Sequence, residues 1–192
     1  MRLGERLASA MAYLATVLIV AALVHLIIIL IIPLVATRDA FARIATLGSL
    51  NGTVGLARSS PSEARFPYGD PAVASAFCRY DLSNGPIRVK APIGRAGFAS
   101  LSFHTRRGAV LYALTDRAAT RGTMEAVVVT PAQLRVFVAH DDEDNPSQDL
   151  RIVSTTNEGF VLMRAFSELP SLYDAAQDEA EGLVCAPEPL PK

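Results

Sequence analysis

The stretch ASAFCRYDLSNGPIRVKA, Ala74 to Ala91, decides the fold. Within it IRVKA alternates: Ile87, Val89 and Ala91 face one way, Arg88 and Lys90 the other, which is the two-residue period of a half-buried strand. The SNGP ahead of it is turn chemistry, so ASAFCRYDL before the turn is a separate short run. The same grammar continues downstream. FASLSFHT, AVLYALTD and MEAVVVT follow in order, divided by RRG and RAATRG, and LRIVST and GFVLMRAF come later, joined by TNEG. AVLYAL is apolar on both faces, which predicts a central strand between packed layers. Short strands with this Gly/Pro punctuation predict a mainly β chain with a few helices, an α+β fold built on a β-sandwich or a partly open barrel.

Two helices interrupt the strands. TPAQLRVFVAH has Thr130 at the cap, Pro131 at the first helical position and Gln133 where a capping-box partner belongs. Its LRVFV also alternates like a strand, so a short helix is expected. In SLYDAAQDEAEGLV, Leu172, Ala176, Ala180 and Leu183 form one apolar stripe able to cover a sheet face. APEPLPK, from Ala186, reads as a frayed tail.

Moving upstream, 51–69 is rich in Gly, Ser, Pro and Arg and reads as a loop or linker. Before it, TRDAFARIATLGSL predicts a short amphipathic helix, with Thr37 or Asp39 as cap, Phe41, Ile44 and Leu47 at helical spacing and Gly48 at its end. Further back lies LATVLIVAALVHLIIILIIPLVATRD, Leu14 to Asp39, where His25 is the sole ionisable residue before Arg38. A span needs roughly 20 apolar residues to cross a ~30 Å hydrocarbon core, and this run exceeds that. A soluble core helix without a polar face is not expected at this length. A cleaved signal is the weaker alternative, because its apolar region is usually about 7–15 residues long and ends at small-x-small. Pro33 can stop or kink the helix near its outer end.

The expected organisation is a cytoplasmic flank over 1–9, a transmembrane helix over 10–36, a juxtamembrane helix and linker over 37–69, an extracytoplasmic β-rich domain over 70–185 and a tail over 186–192. The flanking charges, Arg2, Glu5 and Arg6 before and Arg38, Asp39 and Arg43 after, are nearly balanced and orient the span only weakly. The short flank before the long run places the N-terminus in the cytoplasm, so a bacterial inner-membrane protein with a periplasmic domain is expected. His25, with Thr16 its nearest intramembrane polar neighbour, is read as a tolerated or packing residue rather than a relay.

Composition narrows the function classes. Net charge is −1 over 192 residues, so no basic field recruits nucleic acid, and aromatics make up 7% with no Trp, a poor stacking surface for sugars or bases. No nucleophile motif, zinc-ligand spacing or phosphate loop occurs, so no catalytic residue, metal or cofactor is assigned. Cys78 and Cys185 are the only thiols. Outside the cytoplasm they can pair as a disulfide joining the last helix to the sheet; two separate buried thiols are the alternative. HDDEDNPSQD carries Asp141, Asp142, Glu143 and Asp144 without calcium-loop spacing and reads as a solvated turn. Arg79, Arg88, Lys90 and Arg164 can gather on one sheet face to take a carboxylate or phosphate, or serve simply as outward solubilising charges.

Asp70 to Gly122 also carries a resemblance. DPAVASAFCRYDLSNGPIRVKAP followed by LSFHTRRGAVLYALTDRAATRG resembles the DUF1254 family, a domain of unknown function. The matching elements are Asp70, Asp81-Leu82, Gly85-Pro86 and the strand from Ile87 to Ala91, and the likeness covers most of Phe41 to Cys185. It implies a compact, membrane-anchored bacterial version, expected to lack the second β-sandwich of larger members. Where the family has a tyrosine shortly after its leading aspartate, this chain has Ala72-Val73-Ala74. The resemblance brings no catalytic residues.

The functional expectation is therefore a non-enzymatic, single-pass membrane protein that binds or scaffolds in the bacterial envelope, with the lipid bilayer and a protein or lipid-linked molecule as partners. The alternative is a small-ligand-binding or hydrolytic domain using His104, Tyr112, Asp116 and Arg117, which LYALTDR places at a strand end and its turn.

Overall fold

The structure, a computed structural model, describes residues 3–35, 40–56, 58, 69–94, 97–141 and 147–191. It divides into two units, Met1–Asp39 and Ala40–Lys192. The first consists of one helix, α1 (Leu3–Val35), whose backbone continues past Pro33. Its span Leu3–Ile32 has a mean hydropathy of 3.1 and none of it is buried. This helix is long and apolar enough to cross a membrane, a property it shares with signal sequences. The expected caps Thr37 and Asp39 lie outside the described residues.

The second unit is a mixed α+β fold with two sheets. Its elements are α2 (Ala40–Ala45), β1 (Thr53–Leu56), β2 (Val73–Asp81), β3 (Ile87–Pro92), β4 (Ala99–Thr105), β5 (Val110–Thr115), β6 (Thr123–Val129), α3 (Pro131–Ala139), β7 (Arg151–Val153), β8 (Glu158–Phe166), α4 (Tyr173–Glu181) and β9 (Val184–Pro187). A five-stranded sheet runs β1-β2-β8-β4-β5 and a four-stranded sheet β7-β6-β3-β9. Neighbours are antiparallel except β6 and β7, which pair in parallel.

Strand alternation builds the core. Ala74, Ala76, Cys78 and Tyr80 of β2, Leu101 and Phe103 of β4, and Val161, Met163 and Ala165 of β8 point inward from one sheet. Val89 and Ala91 of β3 and Met124, Ala126 and Val128 of β6 meet them from the other. Removing these apolar surfaces from water is the main force holding the two layers together. Tyr173, Ala176, Ala180 and Leu183, from α4 and the turn after it, join the same cluster. The stripe expected from the sequence is thus present, with Tyr173 buried in place of Leu172.

Several expectations need correcting. AVLYAL is an edge strand, not a central one: β5 pairs only with β4, and Val110 and Tyr112 are 63% and 45% exposed. The segment read as linker contains β1, which closes the other edge against β2. Ala186 and Pro187, assigned to the tail, are the end of β9. The short helix expected after Thr130 is present over nine residues, and both halves of its capping box form: Thr130 Oγ1 accepts the Gln133 N–H and Gln133 Oε1 accepts the Thr130 N–H.

Candidate functional site

The outer face of the five-stranded sheet carries the polar side chains that have functional potential. Successive residues alternate faces, so Ser75, Phe77 and Arg79 of β2, Phe160, Leu162 and Arg164 of β8, and Ser100, Ser102 and His104 of β4 share that side. Helix α2 covers part of it. Phe41 and Ile44 pack on Phe77 and Phe160, with Leu47, Val54, Leu56 and Leu162 around them. The guanidinium groups of Arg79 and Arg106 sit 5.7 Å and 5.4 Å from the centre of the Phe41 ring, attracted to its π face.

His104 lies beside this apolar patch, its ring stacked on Phe160 with centroids 4.7 Å apart. Nδ1 is 3.3 Å from the Gly108 carbonyl oxygen and Nε2 is 2.9 Å from Ser102 Oγ. Burial pushes its pKa below the ordinary histidine value; the Gly108 carbonyl pulls the other way and the Arg164 charge adds to the depression. A neutral ring donating from Nδ1 and accepting at Nε2 satisfies both contacts.

The four residues expected to form a ligand site do not come together. His104 faces outward and pairs with Val110, whereas Tyr112 pairs with inward-facing Phe103 across a register shift. Asp116 and Arg117 occupy a 3-10 turn after β5, beyond the Ser100–Thr115 pair. Ser100 and His104 are four residues apart along β4, about 13 Å. The cations also separate: Arg79 and Arg164 lie on the five-stranded sheet, Arg88 and Lys90 on the other.

Arg88 is bound by carboxylates. Its Nη1 is 2.7 Å from Glu125, its Nη2 2.8 Å from Asp149 and its Nε 2.7 Å from Glu188. Lys90 adds a 3.2 Å contact to Glu125. These bonds to Arg88 hold Glu125 and Asp149 below the ordinary carboxylate range. Asp141 accepts two 2.6 Å bonds from Arg151, while Asp142, Glu143 and Asp144 lie outside the described residues. Cys78 and Cys185 are joined as a disulfide with Cα atoms 6.5 Å apart, linking β2 to β9 across the two sheets. Among the described residues no group of three or more His, Cys, Asp or Glu could hold a metal ion.

Reading from the sequence did not find Ser75 and Ser100, which flank Arg164 in register, or Thr115, which pairs with Ser100 beyond it. Their polar alternation within each strand is visible, but which strands are neighbours is not.

A two-sheet α+β domain preceded by an apolar helix defines the class. The model of the family described as a protein of unknown function, DUF1254, matches residues 53–187. The chain belongs to the DUF1254 family. None of the curated proteins compared with it matches. Among solved structures it is similar to the VPA0106 protein from Vibrio parahaemolyticus, at 15% identity and a TM-score of 0.50, over 78% of this chain and 34% of that one. It is also similar to an uncharacterised protein from Burkholderia cenocepacia, at 15% identity and a TM-score of 0.46, over 82% of this chain and 46% of that one. The chain spans less than half the length of either structure.

Proposed function

We propose that this protein is a single-pass membrane-anchored domain held on the periplasmic side of the bacterial inner membrane, where it binds or scaffolds an envelope partner without catalysing a reaction. One observation carries this reading. The 33-residue helix α1 has a mean hydropathy of 3.1 over Leu3–Ile32 and buries none of it against the rest of its unit, so its apolar surface needs another solvent. The Cys78–Cys185 pairing supports an oxidising compartment for the second unit. The scattering of His104, Tyr112, Asp116 and Arg117 supports binding over hydrolysis, since a catalytic constellation needs its groups within hydrogen-bond reach of one reacting atom.

Carbonate extraction of membranes from cells making the full chain, with N-terminal mass analysis, tests the anchor. The expected result is an intact N-terminus in the washed membrane, with the second unit reached by protease only after the outer membrane is opened. A soluble product shortened past α1 would replace the anchor by a removed signal.

A further inference from the structure

One guanidinium on the outer sheet face stands apart from those already described. Arg164 is exposed on β8, with Ser75 of β2 directly opposite on one side and Ser100 of β4 on the other. Thr115 of β5 comes next beyond Ser100, and Leu56 of β1 beyond Ser75. The cross-strand row therefore reads Leu56, Ser75, Arg164, Ser100, Thr115. Partners on adjacent strands lie ~5 Å apart, close enough for one small ligand to touch several of them.

These groups are unused within the fold. Among the described residues the Arg164 guanidinium and the Ser75, Ser100 and Thr115 hydroxyls make no hydrogen bond or ion pair. Acids on this sheet, Asp81 and Glu158, sit at its far end, Glu158 engaged by Arg106 and six residues along β8 from Arg164, about 20 Å. Two further acids lie at the near end, Asp116 in the turn directly after Thr115 and Glu168 past the end of β8 against Gly97. The row is thus a cation flanked by neutral donors on a face open towards the edge strand.

We infer that the row Arg164, Ser100 and Thr115 is a binding site for a phosphoryl group. The guanidinium fork with the Ser100 and Thr115 hydroxyls beside it offers charge-assisted and neutral donors to the two or three non-bridging oxygens of a phosphoryl group. The β5 side is the open one, because Ser75 is bounded by Leu56 and the apolar patch under α2. His104, stacked on Phe160 and within the field of Arg164, reports occupancy: an anion beside Arg164 offsets the charge that helps depress its titration. All these residues belong to the second unit, so the inference stands whether α1 is an anchor or a signal.

Titration calorimetry of the full chain with inorganic phosphate tests it, in phosphate-free maltoside detergent micelles if the chain inserts and in buffer if it does not. The expected result is saturable binding that weakens with added salt and falls at least about tenfold in Arg164→Gln, with an unchanged melting temperature. Ser100→Ala with Thr115→Val weakens it by roughly three- to tenfold, and the His104 ring signal titrates at higher pH when phosphate is present. Adding phosphatidylglycerol to the micelles or the buffer separates the sources. Loss of phosphate binding assigns the site to a lipid headgroup, and retention assigns it to a soluble phosphate compound; both keep the site. Absent saturation in the wild-type chain, or equal affinity in Arg164→Gln, overturns it.

Discussion

Gly159 shows how closely one position is fitted. It is the second residue of β8, opposite Tyr80, whose hydroxyl donates to the His104 carbonyl at 3.2 Å. A Cβ at Gly159 would collide with the Tyr80 hydroxyl and the His104 backbone oxygen together. Neither can retreat easily, since Tyr80 is fully buried and burial pushes its pKa up to about 12. Gly159→Ala is expected to cost about 2–3 kcal/mol by overpacking, read as a lower urea midpoint with an unchanged slope. Glu179 is an opposite case, a buried acid on α4 whose side-chain oxygens find no hydrogen-bond partner among the described residues, against Gly94. It destabilises the native state relative to a neutral residue of the same shape.

Among the elements, the four-stranded sheet has an unusual stitch. Through Glu125 of β6, Asp149 just before β7 and Glu188 just after β9, the Arg88 guanidinium on β3 reaches the chain at every strand of that sheet. Glu125 and Asp149 have folded-state pKa values below their ordinary ones, so the unfolded chain binds more protons as acid is added. Their contribution is fully present above about pH 5 and is lost as pH falls through and below the ordinary carboxylate range near 4. Both carboxylates are about a third exposed, which limits the effect to about 1–2 kcal/mol after solvent screening. In Arg88→Met, denaturant midpoints at pH 7 should drop, and the further loss between pH 5 and pH 3 should shrink.

The elements also show what a single sequence conveys. IRVKA reads correctly because its alternation is a local property of one strand, and Thr130–Gln133 reads correctly because a capping box is local too. AVLYAL misleads because an apolar run does not say whether a second strand lies on its far side; pairing with β4 alone makes it an edge. β1 hides in a Gly-rich context and β9 ends in Pro187, so both owe their strand geometry to the partners they meet, β2 and β3. The candidate site suffers the same limit. Arg164 was visible, but its serine and threonine neighbours come from strands distant in sequence.

For the molecule as a whole, the disulfide is the main cross-link. Cys78 and Cys185 are 107 positions apart, and closing a loop of that length constrains the unfolded chain by about 4–5 kcal/mol in the entropy model. Cys78→Ser with Cys185→Ser, or prior reduction, should lower the melting temperature by about 8–20 °C for a domain of this size. Intact mass before and after alkylation under non-reducing conditions checks the pairing: two alkylated thiols without reductant would contradict it.

The sheet order has a consequence for synthesis. Thr53, near the front of the domain, donates its hydroxyl to the Leu183 carbonyl, and β9 is bonded to both β3 and Cys78. No early portion emerging from a ribosome or a translocation pore can complete either layer, because residues some 130 positions later supply a strand, a helix and the sulfur bridge. The nascent segment must wait as an open, sticky intermediate, so its yield in a cell should depend on holding chaperones and on oxidation timing more than on the final stability of the product.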